Sequence, residues 1–188
     1  MKSAVEFARA FAQPAAVKRL CFALTLLALL AGGSGCGQSE SPAADVFAQT
    51  LPQQAQPRLS TLTLWLDDQR LTAEIARQPV EVMTGMMFRT NMPAREAMLF
   101  VFSDAERRSF WMKNTLVPLS LAYIDPDGIV REIHDLQPLN TNAVPSDSRL
   151  IQYVLEVNQG WFHTNGIRPG AVVRTEKGGL KATFFPFH

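Results

Sequence analysis

The stretch "SFWMKNTLVPLSLAYIDPDGIVREIH", residues 109–134, decides how this chain folds. Its second half is a hairpin. LSLAYI and IVREIH are runs of strand length, joined by Asp125-Pro126-Asp127-Gly128, a tight-turn tetrapeptide. Its first half, SFWM, is a strand cut off from the hairpin by Lys113-Asn114-Thr115 and then Pro118. Proline cannot donate to a ladder. The polar triad therefore predicts a corner between two strands.

The same punctuation runs outward in both directions. LSTLTLWL (59–66) alternates Leu62, Leu64 and Leu66 with polar or aromatic residues, and RLTAEIA (70–76) turns Leu71, Ala73 and Ile75 the same way. These two runs predict a second hairpin. MLFVF (98–102), LIQYVLEV (150–157) and the end of IRPGAVVR (167–174) add strands, DAERR (104–108) reads as a charged turn or one helical turn, and 135–148 as a loop. Two helices are expected. PVEVMTGMMFR (79–89) has Pro79 in its first turn and Val82, Met83, Met86 and Met87 on one face. NQGWFHTNG (158–166) has Gly166 as its stop. Strands outnumber helices and hairpins dominate. The expected fold is α+β, mainly antiparallel β, a small closed or half-closed barrel with two short flanking helices.

The N-terminus reads as an address. CFALTLLALLA (21–31) follows Lys18-Arg19 and precedes GGSGC. Eleven apolar residues are too few for a spanning helix, which needs about 20. A cationic flank, a short apolar core and small residues form the signal-peptide pattern. Cys36 behind Ser34 and Gly35 resembles a bacterial lipobox, although Gly33 stands where an aliphatic residue is usual. The expectation is a lipoprotein signal over 1–35, lipidation at Cys36 and, with Gly37 next, placement on the periplasmic side of the outer membrane; the alternative is simple secretion into the periplasm after cleavage. Residues 36–57 form a Gln/Ala/Ser/Pro-rich tether with a reach of roughly 25 Å. A single domain over 58–175 and a C-terminal tail over 176–188 complete the organisation.

Charge and cysteine content exclude several classes. The first 35 residues hold four cations and one anion, which leaves 14 cations against 16 anions of the chain's 18 and 17. Nucleic-acid binders show the opposite balance. The two cysteines, Cys21 and Cys36, both precede the domain, so it holds no disulfide, thiolate metal site or cysteine nucleophile.

The blocks TGMMFR (84–89), MLFVF, FWMKNTLVPLSLAYID (110–125), YVLEV (153–157) and the Gly166…Pro169-Gly170 segment resemble a bacterial family catalogued as domain of unknown function 192. The resemblance covers roughly residues 60–175, and the Phe-Trp-Met-Lys-Asn-Thr block is its most specific part. It implies a compact β-rich barrel with short helices in an exported protein, of unestablished activity. The family usually carries Asp where this chain has Ser120.

Three kinds of chemistry are legible. Arg89, Trp111, Lys113, Asn114 and Thr115 would offer two cations, an amide, a hydroxyl and an aromatic face if their two segments pack together. Such a set suits a small anionic or sugar-like ligand, bound without catalysis or cofactor. Glu74, Asp125 or Glu156 near that patch would make an envelope hydrolase the alternative. Six of seven methionines lie between Met83 and Met112, a set able to bind Cu(I), but helical spacing places Met83, Met86 and Met87 in a core face. The three histidines lack ligand spacing.

Overall fold

The computed structural model describes residues 52–186. The export segment, Cys36 and the first part of the tether lie outside the described residues. The elements run β1 (Thr61–Leu66), β2 (Gln69–Ala76), α1 (Pro79–Thr84), β3 (Glu96–Glu106), β4 (Ser109–Phe110), β5 (Leu119–Ile124), β6 (Val130–Leu136), β7 (Val144–Pro145), β8 (Ile151–Asn158), α2 (Trp161–Thr164), β9 (Val173–Thr175), β10 (Gly178–Gly179) and α3 (Leu180–Phe184). No helix among the described residues is long and apolar enough to cross a membrane.

Both expected hairpins form. Leu64 pairs with Leu71 across β1 and β2, and Ala122 with Ile133 across β5 and β6. Eight strands make one sheet in the order β10-β9-β1-β2-β3-β8-β5-β6, antiparallel except for β2 beside β3. The parallel pair arises because the connection from Arg77 to Arg95 crosses over and carries α1. β4 and β7 form a separate two-stranded ribbon.

Among the described residues no closed barrel is found. An isolated antiparallel bridge joins Ile129, ahead of β6, to Val172, ahead of β9. Val130 N–H donates to Ala171 O at 2.9 Å and Val173 N–H to Gly128 O at 2.8 Å. The bridge cannot lengthen into a ladder. Pro169 lacks an amide N–H on one strand, and the Asp125–Gly128 turn ends the other. Gly128 is required there: its φ is +82°, and a Cβ would meet Val173 O at 3.1 Å.

Alternation along β3 builds a core on each face. Ala97, Leu99 and Val101 join Leu64, Leu71, Ile75, Tyr153 and Leu155 on one side. Met98, Phe100 and Phe102 join Met86, Met92, Met112, Leu121 and Tyr123 on the other. A strand buried on both faces reads as a continuous apolar run, as MLFVF does.

Three expectations are corrected. Among the described residues there are three short helices rather than two. The first helix stops at Thr84 instead of Arg89, because Gly85 takes φ +46° with its N–H on Glu81 O at 2.8 Å. Of its expected apolar face, Met86 and Met87 are buried from the turn beyond, while Met83 is exposed. The charged run after Phe102 continues β3 to Glu106. Its Arg108 is buried, stacked on Phe102 at 3.9 Å and donating to Asp104 O at 2.6 Å.

Order extends past both edges of the matched blocks. Gln56 Nε2 donates to Gly85 O at 2.9 Å and Glu81 O at 3.2 Å, satisfying carbonyls at the end of α1. After β9, Leu180 is fully buried and Phe184 and Phe185 pack against the first core.

Candidate functional site

The corner after β4 is held from two sides by main-chain bonds. The turn following α1 ends at Phe88, whose N–H donates to Asn114 O at 2.7 Å. Met112 N–H donates to Asn140 O at 2.8 Å, and Leu139 N–H to Thr115 O at 3.1 Å. Phe88 and Asn114 both have positive φ, +61° and +57°. Asparagine tolerates that region; phenylalanine pays roughly 1–2 kcal/mol for it. The two segments singled out in the sequence therefore do pack together.

On this frame Lys113 Nζ lies 5.4 Å from the Trp111 ring centroid. Trp111, Lys113 and Asn114 are half-buried. Thr115 is buried, and its hydroxyl donates to Lys113 O at 3.4 Å, so it shapes the corner. The exposed leucines Leu116 and Leu139 border it. Arg89 is employed differently from the rest. Its guanidinium donates to both Glu74 oxygens, at 2.5 and 2.8 Å.

Glu74 belongs to a row across the sheet. In register, Glu74 lies beside Met98, Met98 beside Glu156, Glu156 beside Leu121 and Leu121 beside His134. Opposed residues share a face, here that of the methionine-rich core. The two buried glutamates of this row are treated oppositely. Burial pushes the Glu74 carboxyl up, but the bond from Arg89, the Leu59 N–H at 2.8 Å and the charges of Arg89 and Arg58 outweigh it and hold the group below the ordinary range. Glu156 has no such partners, and burial pushes it up to about 8. Its Oε2 and the Nε of Arg89 are buried polar atoms without a hydrogen-bond partner among the described residues.

Other residues named from the sequence have structural occupations. Asp125 accepts from Asp127 N–H at 3.0 Å, Ile129 N–H at 2.9 Å and Arg131 Nε at 2.7 Å, which makes it the keystone of its turn. Ser120, standing where the family usually has Asp, is buried. Its hydroxyl bonds Asp135 and accepts the Gly160 N–H at 2.8 Å. The carboxylate thus comes from the facing strand, where Asp135 is the register partner of Ser120. Met86, Met87, Met92, Met98 and Met112 are buried in the core. No group of three or more His, Cys, Asp or Glu that could hold a metal ion exists among the described residues.

A cavity of about 440 Å³ opens elsewhere, where β2 and β3 begin, β8 ends and α2 follows. Neither Arg89 nor any residue of 111–115 lines it, and neither do Glu74, Asp125 or Glu156. Arg70, Arg95 and Trp161 do. No local motif joins these positions. Only the parallel register of β2 with β3, which was not expected, sets Arg70 and Arg95 at one sheet end.

Comparisons agree on the fold. A family model named DUF192 and described as "Uncharacterized ACR" matches residues 62–175. No curated protein matches. A crystal structure of a Sinorhizobium meliloti protein, provisionally described as a transcription regulator, is similar at 30% identity and a TM-score of 0.61, covering 64% of this chain and 98% of its own. A protein of unknown function from Novosphingobium aromaticivorans is similar at 28% identity and a TM-score of 0.57, covering 68% of this chain and 95% of its own.

Proposed function

The chain belongs to the DUF192 family, and from that premise we propose that it is an exported, lipid-anchored envelope domain that binds a small anionic or sugar-like ligand without turning it over. The binding patch is the corner of Trp111, Lys113, Asn114 and Thr115, backed by Arg89. Lipidation at Cys36 and the tether after it hold the domain at the periplasmic face of the outer membrane.

The observation that carries the ligand reading is the bond from Phe88 N–H to Asn114 O between two left-handed residues. A loop that only had to reverse direction would have little use for a strained Phe88 in order to hold the Asn114 carbonyl. The outcome of that bond is a half-exposed Lys113 stacked on a half-exposed Trp111 with an amide alongside. A charged donor, a ring face and an amide are what recognition of a small polar ligand requires.

Catalysis by a nearby carboxylate finds less support. Glu74 is ion-paired, Asp125 is the turn's keystone, and Glu156 is not among the residues that line the 440 Å³ cavity. The description of the Sinorhizobium neighbour is not carried over, because the domain's charge balance has the wrong sign for a phosphate backbone.

Two results test the proposal. Globomycin should cause an unprocessed precursor to accumulate, and normal processing with unaltered release of Cys36→Ser would overturn the anchor. For the corner, Lys113→Ala with Asn114→Gly is the appropriate pair. Alanine at position 114 would be strained at φ +57°, whereas glycine keeps the backbone and removes the amide. Lost cation–π energy at such an exposed site is about 0.5–1 kcal/mol, so the melting temperature should fall by less than about 4 °C. A much larger fall would make the triad architecture alone.

A further inference from the structure

The cavity at the β2, β3 and β8 ends has a composition of its own. Arg70 and Arg95 line it, both exposed, and neither side chain makes an ion pair or hydrogen bond among the described residues. Two unpaired guanidiniums at one opening leave strong, planar donors uncommitted. Of the four amides that line the same space, Asn158, Gln159 and Asn165 each have an N–H group already anchored. Asn158 Nδ2 donates to Met92 O at 2.5 Å, Gln159 Nε2 to Leu136 O at 3.0 Å, and Asn165 Nδ2 to Trp161 O at 2.8 Å. With the nitrogen ends fixed, each of these three keeps its carbonyl oxygen as the acceptor still to be used. Trp161 supplies a half-buried indole, set edge-on against Phe162 at 5.5 Å and packed on the first core. Asp68 adds one carboxylate acceptor.

Each part answers to a different piece of one ligand. Arginine forks match a carboxylate or phosphate group. Anchored amide oxygens and a carboxylate accept from hydroxyls. An indole face covers the C–H surface of a ring. The volume lies within the range of small-ligand sites, roughly 300–1,000 Å³. We propose that this cavity binds an acidic saccharide, a sugar carrying a carboxylate or phosphate group. Neutral sugars lack the anion that two unpaired arginines require, and simple anions leave the amide acceptors and the indole without partners. The site is separate from the corner at 111–115 and stands or falls without it.

The test is calorimetric titration of the purified full chain. The probes are trigalacturonate, glucose 6-phosphate, maltotriose and inorganic phosphate. At least one acidic sugar should bind with a dissociation constant below about 10 mM, and maltotriose and inorganic phosphate at least about tenfold more weakly. Arg70→Ala with Arg95→Ala should weaken the acidic sugar by at least about tenfold and leave the melting temperature unchanged, since both side chains are solvent-exposed and unpaired. Lys113→Ala with Asn114→Gly should leave this binding intact. Absence of binding by both acidic sugars, equal binding of maltotriose or of inorganic phosphate, or full binding by the double arginine variant would each overturn the assignment.

Discussion

Arg89→Met destabilises the domain by about 3–5 kcal/mol, the usual result of removing one partner from a buried ion pair. The Glu74 side chain is 5% exposed and Arg89 12%, and the pair is joined by two hydrogen bonds. Without the guanidinium, a carboxylate held by Leu59 N–H and the exposed Arg58 at 3.5 Å stays buried and undercompensated. Arg89 also ties the turn after α1 to β2, and that turn carries Phe88, which holds the corner. Urea denaturation measures the loss as a lower midpoint at unchanged slope. Glu74→Gln in the Arg89→Met background should return much of it, because the uncompensated charge is gone. A loss under about 1 kcal/mol would mean that the pair behaves as a surface contact.

Glu156→Gln flattens the pH dependence of stability on the alkaline side. Between pH 4.5 and about 8 the folded protein keeps a proton on Glu156 that the unfolded chain has released, so folding weakens as pH rises through that window and levels off above it. At 1.36 kcal/mol per pH unit, the total is on the order of 5 kcal/mol. Glutamine is neutral throughout, so the variant should match the wild type near pH 5 and melt well above it at pH 8. Glu74 acts with the other sign. Its lowered value supplies stability above the ordinary carboxylate range and withdraws it as pH falls. Together the two glutamates place the stability maximum on the acid side of neutral. Thermal melts from pH 4 to 9 decide the matter; parallel curves for wild type and Glu156→Gln would refute the burial of an ionisable Glu156.

Much of this was legible in the chain because local signals agreed with tertiary ones. Alternation in LSTLTLWL and RLTAEIA gave β1 and β2, and Asp-Pro-Asp-Gly gave the turn of β5 and β6. What failed depended on distance. Whether a sheet closes depends on pairing between Ile129 and Val172, and no local pattern reports that Pro169 stops it after one bridge. The helix after Pro79 looked longer because Met86 and Met87 continue its apolar period, yet Gly85 had already left the helix. Arg89 read as a free cation because its partner, Glu74, is fifteen residues away on a strand whose alternation marked it as polar. The cavity escaped notice altogether, since its arginines and amides meet only through the parallel register of β2 and β3.

The corner at 111–115 remains the centre of the functional account, and one measurement reaches it whatever the ligand is. The wild-type protein, the Lys113→Ala, Asn114→Gly variant and the Arg70→Ala, Arg95→Ala variant are released from their own envelopes without denaturation and weighed by native mass spectrometry. The account predicts a small-molecule adduct on the wild type that survives Arg70→Ala with Arg95→Ala and is absent from the Lys113→Ala, Asn114→Gly variant at equal stability. A wild type without adduct, an adduct lost with the two arginines, or a Lys113→Ala, Asn114→Gly variant that retains it, would contradict the account.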